Sequence, residues 1–67
     1  MEHRIFEFED AGRATFYAAR TMDEPRESIL FATAHGERTM YDDADVLGPF
    51  DSRAEAEAAV ERAEEAV

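Results

Sequence analysis

The sequence has no cysteine, no lysine and no tryptophan, and only three glycines and two prolines. Without cysteine there is no disulfide and no thiolate zinc site. Two histidines are too few for a His-rich metal site. The seven basic residues are all arginine, spread over positions 4, 13, 20, 26, 38, 53 and 62, and they form no cluster. Phosphate backbones are gripped by clustered Lys and Arg, so nucleic acid is not an expected partner. An anionic membrane surface is disfavoured for the same reason. No apolar run exceeds four residues, whereas a membrane-spanning helix needs about 20. Met1-Glu2-His3-Arg4 leads into no apolar stretch of the secretory kind. The expected location is cytoplasmic.

What the chain does have is acid. Seventeen Asp and Glu against seven Arg give a net charge of −10 over 67 residues. In dilute buffer such carboxylates repel one another and oppose the compact state. The repulsion shortens with the Debye length, from ~10 Å at 0.1 M salt to ~3 Å at 1 M. The composition therefore suits concentrated salt, and it resembles that of cytoplasmic proteins of salt-in halophilic archaea.

The length allows one domain, 1–67, of modest core. A chain of this size buries only about 60% of its unfolded surface. Domains so small usually rely on a disulfide, a metal or a partner subunit. With the first two unsupported, self-association or salt is the expected support.

The final segment is the clearest. Ser52-Arg53-Ala54-Glu55 is a capping box, in which the Ser52 hydroxyl accepts from the Glu55 N–H and the Glu55 carboxylate reaches back to the Ser52 N–H. Ala56, Ala59, Val60, Ala63 and Val67 then form one helical stripe. At the other end, Arg4, Phe6 and Phe8 alternate with His3, Ile5, Glu7 and Glu9, as in a strand. Asp10-Ala11-Gly12 reads as a hairpin turn, and Arg13–Arg20 as the returning strand. Thr21–Glu27 is a loop. Ser28–His35 reads as a central strand, because Ile29-Leu30-Phe31-Ala32 is apolar on both faces. His35–Arg38 would turn the chain into Thr39-Met40-Tyr41.

The middle has a competing reading. Asp23 can cap a helix over 24–35, with Pro25 in its first turn and Gly36 just past its end. The expected fold class is α+β. It comprises a three- to four-stranded antiparallel meander with one C-terminal helix on one face, and an additional middle helix is the alternative.

Leu47-Gly48-Pro49-Phe50-Asp51-Ser52-Arg53-Ala54-Glu55-Ala56-Glu57 resembles the strand–GPF–helix ending of YegP-type domains and of SPOR peptidoglycan-binding domains. Gly-Pro ends the strand, Phe anchors the corner, Ser caps and Ala lets the helix approach the sheet. The YegP-type resemblance implies a dimer-forming meander plus helix and carries no activity.

Chemistry-bearing constellations are sparse. Asp42, Asp43 and Asp45 are the densest acidic group and the only metal candidates. Read as a calcium loop from Asp43, they place Leu47 and Ala54 where oxygen ligands belong. A solvated turn is the plainer reading. No nucleophile elbow, phosphate-binding glycine loop or paired-histidine zinc helix is present. No catalytic residue and no cofactor is assigned.

The apolar count points to assembly. If the Ala-rich helix covers one sheet face, Phe6, Phe8 and Phe16 pack beneath it with alternate residues of 29–32. Ile5, Tyr17 and the rest of that run are then left on the other face. Such a patch is commonly an interface, and Ile5, Tyr17, Ile29, Phe31 and Tyr41 are the interface candidates. The expected protein is a homodimeric, salt-adapted, non-catalytic interaction module. An accessory subunit docking on a larger protein is the second reading, and a small cation-binding protein or enzyme the third.

Overall fold

The computed structural model describes residues 2–65. Its order is β1 (Arg4–Asp10), β2 (Arg13–Ala19), α1 (Glu27–Ala34), a 3-10 turn at Asp43–Asp45, β3 (Val46–Phe50) and α2 (Arg53–Glu65). The strands form one antiparallel sheet in the order β1-β2-β3. This is the expected α+β arrangement with a C-terminal helix, and the additional middle helix is present as well.

The hairpin follows from its turn. Asp10 pairs with Arg13, which leaves a two-residue loop of Ala11 and Gly12. Both have positive φ, 53° and 76°, the backbone of the primed turns that match strand twist.

Residues Glu27–Ala34 are helical, with His35 as the C-cap, which corrects the strand reading of Ser28–His35. The run Ile29–Ala34 is apolar or small at nearly every position, so helical and strand periods fit it equally well. The decision falls at its end. Gly36 adopts φ 84°. The Gly36 N–H donates to the Thr33 carbonyl at 3.0 Å, and that of Glu37 to the Ala32 carbonyl at 2.9 Å. These two bonds close a Schellman motif and satisfy carbonyls that a helix end leaves open. Asp23 is not the cap. Arg26 holds that position without a side-chain bond, and the Asp23 N–H donates to Thr21 Oγ1 at 3.1 Å. Residues 39–41 form no strand either. Thr39 folds them into a local turn, accepting from the Tyr41 N–H at 3.1 Å. The third strand is instead Val46–Phe50, with Gly48 and Pro49 inside it. Its pairing with β2 is irregular between Phe16 and Ala18.

The two helices cover opposite faces of the sheet. Cross-strand partners share a face, so Phe6 goes with Tyr17, Ile5 with Ala18 and Phe16 with Phe50. Leu30 of α1 packs with Tyr17, Ala19 and Val46, and Phe6, Phe8, Ala34 and Tyr41 border that cluster. α2 packs across all three strands on the Ile5 and Ala18 side, where Ala56 is fully buried. The expected grouping of Phe16 with Phe6 and Phe8 under one helix is therefore wrong. Phe16 shares the α2 face, and the other two lie on the α1 face. The expected bare face is absent too, because α1 supplies the second layer. β2 is consequently buried from Phe16 to Ala19.

The start of α2 is close to expectation. The Glu55 N–H donates to Ser52 Oγ at 3.2 Å. The reciprocal half is shifted by one residue, since the Glu55 carboxylate accepts from Asp51 N–H at 3.1 Å. The stripe Ala56, Ala59, Val60 and Ala63 faces inward or half-inward. Its last expected member, Val67, lies outside the described residues.

Candidate interaction surface

Among the described residues β1 has one neighbour, β2, so its outer edge of seven residues carries unpaired backbone groups. α1 packs on β3 and the Tyr17–Ala19 part of β2. This leaves Phe6 and Phe8 half-buried on β1. Phe8 meets Tyr17 edge to face at 5.9 Å between ring centroids. The Arg4 guanidinium lies 5.1 Å from the Phe6 ring centroid and also donates to the Met22 carbonyl at 3.2 Å. An aromatic pair on an unpaired edge is the feature most open to a partner strand.

The sequence-based interface candidates scatter. Tyr17 is 1% exposed and belongs to the core. Burial, with a smaller contribution from the Glu27 carboxylate, pushes its phenol above the ordinary value of 10.0. Ile5 faces α2. Tyr41 packs beside the Leu30 cluster, and Ile29 is half-buried on α1. Phe31 alone is open, at 48% exposure, and it stacks on His35 at 4.1 Å. Phe6 and Phe8 were not among the candidates. Their alternation on the first strand is visible in the sequence, but only the sheet order, which leaves β1 beside β2 alone among the described strands, marks them out.

Asp42, Asp43 and Asp45 wind into and around the 3-10 turn. Among the described residues, no three His, Cys, Asp or Glu side chains are grouped to hold a metal ion. A shallow polar hollow beside the turn is lined by Arg20, Tyr41, Asp42 and Asp45, where Arg20 N–H donates to the Asp45 carbonyl at 3.0 Å. No described helix is long and apolar enough to cross a membrane.

Comparison with protein-family models, with curated proteins and with solved structures finds no match to this chain.

Proposed function

We propose that the chain is a non-catalytic interaction module that pairs with a second copy of itself along the outer edge of β1. The observation that carries this reading is the unpaired seven-residue edge bearing half-buried Phe6 and Phe8. An antiparallel pairing centred on Glu7 sets Phe6 opposite Phe8 of the second copy and Arg4 opposite its Asp10. Aromatic and opposite-charge cross-strand pairs each favour such an edge by about 0.2–1 kcal/mol. The same register brings the two Glu7 side chains together, which concentrated salt screens. Salt adaptation and dimerisation are thus parts of one proposal, and a salt-rich cytoplasm is its setting.

The test is size-exclusion chromatography with light scattering, stepped from low salt to 3 M KCl. A dimer in high salt that Phe6→Glu with Phe8→Glu, which sets like charges opposite one another, converts to a folded monomer supports the reading. A wild-type monomer at high micromolar concentration in every salt removes it.

A second reading has its own observation. Met22 and Met40 are each 74% exposed, and Phe31 is 48% exposed. In a monomer these side chains would suit docking on a larger protein, which is the accessory-subunit function.

A further inference from the structure

His3 precedes β1 and lies under the last turns of α2. Its side chain is 2% exposed, yet neither ring nitrogen has a hydrogen-bond partner among the described residues. The Glu64 carboxylate oxygen Oε2 stands 3.9 Å from Nδ1, beyond hydrogen-bond reach. The ring lines a groove of about 430 Å³ together with Ile5, Val60, Glu57, Glu61 and Glu64. Charged groups therefore face it from three elements. They are the glutamates of α2, including Glu65, then Arg20 after β2 and Asp45 of the 3-10 turn. On β1 itself the neighbour on this face is the apolar Ile5.

We propose that His3 is a proton-operated latch for the end of α2: the neutral ring lets the helix close on β1, and a proton on the ring releases it. A buried imidazolium would need two acceptors, and the closed arrangement offers none within bonding distance. Burial is the largest influence on the ring and Arg20 the next. Both hold His3 below its ordinary value of 6.5, while Glu64 and Asp45 offset them only in part. The closed form consequently binds a proton more weakly than the released form. Closure is fully favoured above about pH 6.5. The bias toward release grows as pH falls below that value and stops growing beneath the closed-form value. Each unit of depression is tenfold in the ratio of released to closed chains. Release would expose Ile5 and Val60 and free the α2 glutamates.

Amide hydrogen exchange on the full chain, at one KCl concentration and at pH 7.5 and 5.5, tests the latch. Both pH values lie above the ordinary carboxylate range, about 4.3 for Glu. After correction for intrinsic rates, opening of amides 60–65 should rise several-fold at pH 5.5, and that of α1 should not. His3→Phe should abolish the rise and His35→Gln should keep it. Glu64→Gln should enlarge it, because a neighbour that favours the proton in the closed form is gone. An equal rise in both helices, or a rise that survives His3→Phe, overturns the proposal. If His3→Phe does not fold, the wild-type ring titration decides. A midpoint below 6.5, tracked by the Ile5 and Val60 methyl signals, upholds the latch, and a midpoint at or above 6.5 overturns it.

Discussion

Gly48 sits directly against Tyr17: a Cβ at position 48 would stand 2.9 Å from Cδ2 of the Tyr17 ring. It would also stand 3.1 Å from the Phe16 carbonyl oxygen, on a backbone whose φ is 131°. The tyrosine ring is 1% exposed and Phe16 O is backbone, so neither neighbour moves freely.

Gly48→Ala should therefore destabilise the fold by about 2–3 kcal/mol, combining backbone strain with displaced packing. Urea denaturation in molar KCl measures it. A midpoint equal to wild type would show that β3 yields at no cost.

The opposite sign is expected at the hairpin. Ala11 occupies a left-handed conformation, φ 53°, that an L-residue other than Gly, Asn or Asp enters at a cost. Ala11→Asn fits the same turn better and should stabilise by about 0.5–1 kcal/mol, raising Tm by several degrees. A lower Tm in thermal circular dichroism would contradict the turn geometry.

Ser52 holds the first turn of α2 through one bond, to the Glu55 N–H at 3.2 Å. Ser52→Ala should cost about 1 kcal/mol. Glu55→Gln should cost less, since the amide oxygen can still accept from Asp51 N–H. Paired denaturation curves under identical salt give both values, and a larger loss from Glu55→Gln would reverse the assignment.

How far these elements could be read from the chain alone varies with how local their causes are. The hairpin and the C-terminal helix were legible because Gly12 and Ser52 act on residues within a few positions. The segment from Ser28 to His35 was misread because Ile29-Leu30-Phe31-Ala32 carries no period, and only the Gly36 end distinguishes helix from strand. The third strand was read as ending at Gly48 and Pro49, because those residues ordinarily end strands; here β3 runs through them to Phe50 and needs glycine to pass over the Tyr17 ring, a contact 31 residues distant in sequence. The surface followed from the topology. Tyr17 could be placed inside only once α1 was known to cover its face, and Phe6 and Phe8 became notable only once β1 proved to be an edge.

Salt should govern stability as well as assembly. With a net charge of −10, the unfolding midpoint should rise from low to molar KCl, most steeply at the low end where the Debye length changes most, from ~30 Å at 0.01 M to ~10 Å at 0.1 M. Circular dichroism against denaturant at stepped KCl records this. A cooperative transition of equal midpoint in 50 mM buffer would remove salt adaptation from the proposed function.

The burial of Phe16, Tyr17, Ala18 and Ala19 in succession has a consequence for how this protein can change over generations. A half-exposed strand accepts polar replacements at every second position, so substitutions drift there without harm. β2 offers no such position along these four residues, and a mutation in either direction from the sheet meets a helix. Neutral variation should accumulate instead on the outer side of α2 and in the loops, where acidic residues can be gained or lost one at a time. The surface charge can thus vary while the central strand stays fixed.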